Sequence, residues 1–217
     1  MFAEKINTRA KEPFQSKTWS GITPIGTARF PHLKEPHSFS GEDPRYKVGL
    51  ILDEKDADAM EAFANEALDW AYDQLTPAKK KGTKKVSPVK EEMRKVNAGT
   101  EAEDLEPTGN RFFEAKTFST DHKGNRKFVP MVDSNGNGLS DPPDVPGGSR
   151  LRLSVTFKPY WMSGNLGLTV YLNAVQIVEL SQGYSDAAAF GAVEGGWTSN
   201  DGQEQVAAGT DFDDTPF

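Results

Sequence analysis

The longest strict alternation in the chain is "RLRLSVTFK" (150–158), with Leu151, Leu153, Val155 and Phe157 on one side. Arg150, Arg152, Ser154, Thr156 and Lys158 take the other side. A period of two predicts a strand with one buried face. Further strands are predicted at "RYKVGLIL" (45–52), "RFFEAKTFS" (111–119), "RKFVPMV" (126–132) and "LGLTVYLNAVQIVEL" (166–180). "KTWSGITPIGTARF" (17–30), β-branched but broken by Gly and Pro, reads as one bent strand. Between 53 and 75 the period changes: Met60, Phe63, Ala64, Ala67, Leu68, Ala71 and Leu75 share a helical face. Asp53 or Asp56 caps that helix, and Thr76-Pro77 ends it. One long helix between strands predicts a mainly β fold, a closed or partly closed barrel with the helix packed on the sheet.

Outside these segments the pattern fades. Residues 1–16 read as a flexible arm, and 76–110 as a long loop, basic at "KKKGTKK" and acidic at "GTEAEDLEPTGN". No internal repeat is evident. The 217 residues suit one domain, 17–180, with appendages. Hydrophobic content of 36% and a mean hydropathy of -0.62 are low for a chain that is all core. No apolar run approaches the ~18 residues of a membrane helix, and the first residues lack the apolar centre of a secretory signal. The absence of cysteine excludes disulfides and thiolate sites and fits a reducing compartment, so a cytoplasmic protein is expected.

A net charge of -7 argues against a nucleic-acid partner until its distribution is considered. From Ser181 onward stand Asp186, Glu194, Asp201, Glu204, Asp211, Asp213 and Asp214, without a single Lys or Arg. The remaining 25 acids of 32 balance 25 bases. Residues 181–217 therefore read as a disordered acidic interaction tail. Its close, "DFDDTPF", sets Asp211, Phe212, Asp213, Asp214, Pro216 and Phe217 in a form that suits an apolar pocket rimmed by Lys or Arg on a partner.

The alternating strand carries the chemistry. Arg150, Arg152 and Lys158 share a face and lead directly into Tyr160 and Trp161. Binders of single-stranded nucleic acid need both elements, cations to track phosphates and rings to stack on bases. Read without function, the same residues are a half-exposed strand with aromatics capping a core. Phe112, Lys116 and Phe118 repeat the theme, the hairpin adds Lys123, Arg126 and Lys127, and Trp19 is a further stacking candidate. Lysines 79–85 would serve as a mobile basic arm. In "DSNGNGLSDPPD", Asp133, Asn135, Asn137, Gly138, Asp141 and Asp144 fall at calcium-loop spacing. No flanking helices are predicted there, and repeated Asn-Gly is also what a turn between strands requires. His32, His37 and His122 show neither metal nor triad spacing, so no cofactor and no catalysis are expected.

The order "YKVGLIL", long helix, basic loop, "VDSNGNG", "DVPGGSRLRLSVTFKPYW", "VYLNAVQIVEL" and acidic tail resembles the replicative single-stranded DNA-binding proteins of T-seven-type phages. The resemblance spans 17–180 and is strongest over 132–180. It implies an OB-fold, a five-stranded partly open barrel, binding single-stranded DNA with little sequence preference and without catalysis. It also implies a tail that competes with DNA for the groove and recruits polymerase and primase-helicase. Tyr160 matches the family's aromatic after proline, and Phe217 its terminal aromatic. The tail here is shorter and less acidic than the family's, which leaves a homodimer open. "DFDDTPF" separately is similar to the tip of bacterial single-stranded DNA-binding proteins. The rival readings are an RNA-binding or strand-annealing module on the same fold and a calcium-stabilised structural protein.

Overall fold

The computed structural model describes residues 2–38, 41, 43–96 and 104–182. In chain order these form β1 (Ala3–Ile6), β2 (Lys17–Ile22), β3 (Gly26–His37), β4 (Arg45–Leu52) and helix α1 (Glu54–Asp73). There follow α2 (Pro77–Lys80), β5 (Lys84–Val86), β6 (Lys90–Val96), β7 (Asp104–Phe118), β8 (Met131–Val132), β9 (Arg150–Met162) and β10 (Asn165–Glu179).

Five strands close a ring in the order β9-β3-β4-β7-β10-β9. All neighbours are antiparallel except β7 and β10, whose parallel contact is the single pair Tyr171–Lys116. This is the strand order of an OB-fold, and the thin β7–β10 seam leaves the barrel partly open. The predicted bent strand exists as β2 and β3, both laid along β9, with Ile22 opposite Ser154 and Gly26 opposite Leu151. Pro24, which has no N–H to donate, sits at the bend. Buried Thr23 mends the ladder there. Its N–H donates to the Leu153 carbonyl (2.9 Å), and its hydroxyl accepts from the Leu153 N–H (3.0 Å) while donating to the Pro24 carbonyl (2.8 Å).

The inner face of β9 is fully buried and meets Leu166, Leu168, Val170 and Leu172 of β10. Helix α1 packs on β10, β7, β4 and β9 through Ala57, Met60, Ala64, Ala67, Leu68 and Ala71. Its small residues admit close approach, and Asp53 caps it by accepting the Asp56 N–H at 2.8 Å. Phe63 joins an aromatic cluster with Phe2 (4.6 Å), Phe157 (5.1 Å) and Trp19 (6.3 Å).

Two expectations are corrected. Residues 2–16 are not a free arm: β1 pairs with β2, Phe14 is buried, and Phe2 packs on Phe157 at 4.9 Å. Short apolar anchors separated by polar residues leave no periodic signal, which is why the pattern missed them. Nor are the described residues of 76–110 one long loop. Thr76 caps α2, β5 runs parallel to β10, and β6 with the first half of β7 forms an antiparallel ribbon. That ribbon is mostly exposed on both faces, so its residues never alternate. Lysines of the basic run are held: Lys79 pairs with Glu12 (2.9 Å) and Lys85 with Asp69.

Thr23→Val keeps the shape but strands the Leu153 N–H. Urea unfolding should show a loss of about 1–3 kcal/mol with an unchanged m-value.

Candidate nucleic-acid interface

Alternation along β9 turns Arg150, Arg152, Ser154, Thr156, Lys158 and Tyr160 to the outer face. Across the ladder on β10 stand Gln176, Ala174, Tyr171, Thr169 and Gly167. Tyr160 lies across Gly167, where an added Cβ would come within 2.5 Å of its ring. The missing side chain seats the ring flat against the sheet.

Beside Tyr160, a concavity of about 290 Å3 is lined by Arg45, Lys116, Thr117, Phe118, Thr169 and Tyr171. The Arg45 guanidinium stacks on Phe118, 4.6 Å from the ring centroid. A second concavity of about 490 Å3 shares Thr117 and Tyr171 and adds Lys127, Phe128, Thr156 and Asn173. A third, about 260 Å3, continues past Ser154 and Ala174 to Arg152, Gln176, Ile22 and Val132. Together they trace one groove along β10, walled by the 127–132 segment. Phe118 is 41% exposed and Phe128 64%.

No acidic residue lines any of the three concavities. Among the described residues Arg45, Lys127, Arg152 and Lys158 make no ion pair, and Lys116 has only Glu114 at 3.9 Å. Several cations elsewhere are matched: Arg111 meets Asp58 (2.6 Å) and Glu61 (3.0 Å), and Lys17 meets Glu4 (3.0 Å). Unmatched cations thus stand beside exposed rings in a cleft whose lining holds no carboxylate, which favours a positive potential there. Such a surface can hold an extended polyanion that carries flat apolar groups.

The profile of a family described as Enterobacter phage Enc34, ssDNA-binding protein, matches residues 23–203. The chain belongs to that family. The barrel is similar to the single-stranded DNA-binding protein gp2.5 encoded by bacteriophage T7, at 21% identity and a TM-score of 0.54, covering 77% of this chain and 95% of that one. It is also similar to the bacteriophage Enc34 single-stranded DNA-binding protein in complex with ssDNA. There the identity is 12% and the TM-score 0.50, covering 78% of this chain and 89% of that one. A C-terminal truncation of the Enc34 protein matches at 13% and 0.52, covering 84% and 99%. Sequence comparison with curated proteins finds no match. The resemblance to phage single-stranded DNA-binding proteins therefore holds for the family and the fold.

Within this family member, the groove gathers Tyr160, Arg152, Lys116, Phe118 and Lys127 from the sequence-predicted set, and Lys158 stands opposite Thr169 of its lining. Other predicted residues lie elsewhere. Trp19 is buried, edge-on to Trp70 at 5.6 Å, and is a core residue. Trp161, one position past Tyr160, turns to the opposite face, where its Nε1–H donates to Thr83 Oγ1 at 2.9 Å. Neighbouring residues of a strand cannot share a face, so the two rings are no joint platform. Arg126 pairs with Glu35 (3.2 Å) and stacks on Phe128 (4.8 Å), positioning that ring. Lys123 is exposed in the 121–125 turn, Arg150 donates to Thr27 Oγ1 (3.2 Å), and Phe112 stands in the middle of β7 under the Arg29 guanidinium. Sequence reading missed Arg45 and Tyr171, both reachable by applying alternation to β4 and β10. It also missed Phe128, whose place depends on tertiary packing. His32 and His37 stack at 4.5 Å beside β4. Burial, then His37 and Lys47, lower the His32 pKa against the opposing pull of Asp144.

The calcium loop is also corrected. Asp133 Oδ1 accepts the N–H groups of Asn135 (2.9 Å) and Asn137 (2.8 Å), and Oδ2 accepts from the Asn137 amide (2.9 Å). Asp141 turns away to Lys34 at 3.4 Å, and among the described residues no cluster of three or more metal-ligating side chains forms. The same turn occurs at "DHKGN": Asp121 accepts from the N–H groups of Lys123 (2.7 Å) and Asn125 (2.9 Å) and from the Asn125 amide (3.0 Å). Gly124 and Gly136 take φ of 83° and 86°, as each Asp-x-x-Gly-Asn turn demands. These two carboxylates rigidify the groove's outer wall. The partner-binding residues proposed at 211–217 lie outside the described residues.

Hydrogen bonds from Asn125 and Asn137 foremost hold Asp121 and Asp133 below the ordinary carboxylate range. Groups with depressed folded pKa stabilise above the unfolded pKa and lose that contribution as pH falls through the folded one. Carbonyl-carbon NMR titration should show both aspartates protonating below an unfolded reference near ~3.9, with the turn amides losing exchange protection in the same window.

Proposed function

We propose that this chain coats single-stranded DNA with little sequence preference during phage DNA replication and recombination, as a binding protein rather than an enzyme, in the host cytoplasm. The observation that carries the reading is the acid-free groove along β10, where Arg45, Lys116 and Lys127 accompany Tyr160, Tyr171, Phe118 and Phe128, with Lys158 opposite Thr169. Cations spaced along a cleft follow a phosphate backbone, and rings stack on any base, so the arrangement favours strand over sequence. Duplex DNA keeps its bases paired and offers the rings nothing. Membership of the Enc34 family and the Enc34 protein's structure with ssDNA support the same reading. The acid-only segment after Ser181 suits a second role, recruitment of DNA polymerase and primase-helicase and competition with DNA for the groove.

Anisotropy titrations should show single strands bound far more tightly than duplex, with affinity falling as salt rises. Lys116→Ala should reduce the logarithmic salt slope by about 0.7, the share of one phosphate. Tyr160→Ala should cost ~1–3 kcal/mol of binding. Gly167→Ala should cost a similar amount by lifting the ring, whereas Trp161→Ala should lower stability and leave affinity unchanged. Equal affinity for duplex would overturn the reading, and tighter binding of RNA than of DNA would favour the RNA module. Deleting residues from Asp201 onward should raise DNA affinity at low salt and abolish capture of the polymerase, the tail's contribution failing if neither changes.

A further inference from the structure

Phe30 has a φ of 46°, one of two positive values at non-glycine positions among the described residues. A bulky side chain enters the left-handed region at a cost, and burial does not offset it here, because 67% of Phe30 is exposed. The strain coincides with an irregularity in the β3–β4 ladder, where register slips between Arg29 and His32. Irregularities of this kind re-aim a side chain, and this one turns Phe30 outward.

Behind the ring lies Arg29. Its guanidinium is 4.5 Å from the Phe30 centroid and 4.5 Å from that of Phe112 on β7. Gly49 makes room for the contact, since a Cβ there would stand 3.2 Å from the Arg29 Cβ. The Arg29 charge is neutralised by Glu92, Nε to Oε1 at 2.9 Å. Burial alone would raise the Glu92 pKa, but hydrogen bonds from Asn110, Thr108 and Arg29 outweigh it and hold it below the ordinary value. Glu92 therefore stays charged and Arg29 stays matched. What remains at the surface is an apolar ring braced from behind by a matched cation, with Lys90 of β6 in register with Phe112.

Phe112 and Phe118 share the outer face of β7, with Glu114 and Lys116 between them. Six residues of strand span roughly 20 Å, so Phe30 and Phe112 mark the opposite end of the β4–β7 face from the groove. We propose that Phe30, braced by Arg29 and Phe112, is a base-stacking site that extends the path of single-stranded DNA beyond the groove. The proposal rests on the groove reading above. The ring itself adds affinity without salt dependence, and only for strands long enough to reach it.

The test titrates the full chain with oligo-dT of increasing length at two salt concentrations. Phe30→Gly and Phe30→Asn, both at ease with positive φ, are compared with the parent and with Lys116→Ala. Short oligonucleotides should bind the Phe30 variants as they bind the parent. Beyond a threshold length the variants should bind roughly 5- to 150-fold more weakly, with an unchanged salt slope and a melting temperature equal to or above the parent's. Variants indistinguishable from the parent at every length would overturn this site while the groove stands. So would equal loss at every length, a reduced salt slope, or a markedly lower melting temperature, the last marking Phe30 as structural. A parent that binds no oligonucleotide would defeat the groove and this site together.

Discussion

Strand β9 is hydrogen-bonded along both edges, to β10 on one side and to β2 and β3 on the other. With both edges committed, its period of two decides the rest of the molecule. A slip of one residue would drive three cations and two hydroxyls into a core now filled by Leu151, Leu153, Val155 and Phe157. The register is therefore over-determined. It fixes which face of β10 looks outward, and through the Tyr171–Lys116 pair it fixes where β7 closes the ring. Thr23 belongs to the same constraint, since it keeps the second edge of β9 paired across a proline that would otherwise interrupt it.

Charge is sorted on this scaffold rather than merely scattered. Helix α1 and the β6–β7 ribbon carry carboxylates that match nearby cations, as Asp58 and Glu61 match Arg111 and Glu92 matches Arg29. Along β10 the acids are missing from the lining, and the cations there make no ion pair among the described residues, apart from the distant Glu114 contact to Lys116. The body can be electrically balanced and still present one strongly positive cleft. The excess of acids falls entirely after Ser181 in the sequence, which leaves residues 1–180 balanced.

The aromatic residues divide in the same way. Trp19, Phe63 and Phe157 hold the helix to the barrel, and Trp161 ties α2 and its following turn to β9. Tyr160, Phe118 and Phe128 stay accessible, each braced by something flat or charged: Gly167, Arg45 and Arg126. Bracing limits the freedom a ring would lose on stacking. The Asp121 and Asp133 turns do for the groove wall what these contacts do for the rings.

The sequence alone determined the elements whose burial is one-sided. In β4, the second half of β7, β9, β10 and α1, half-burial imposes a period that polar and apolar residues must obey, and their positions were legible to within a few residues. It also marked the cationic face of β9 and Tyr160, because alternation carries face identity along a strand. Only the tertiary structure decided the remainder. The β6–β7 ribbon is wet on both sides and writes no pattern, and β1 and α2 are held by isolated contacts such as Phe2, Phe14 and Lys79. The calcium-like spacing became an Asx turn because backbone N–H groups, nearest in space, claimed the Asp133 carboxylate first. The groove joins residues from β4, β7, β9, β10 and the 127–132 wall, and Phe30 is aimed by a local break in register. Such placements depend on which strands become neighbours when the ring closes, and that is a property of long-range pairing that no local period records.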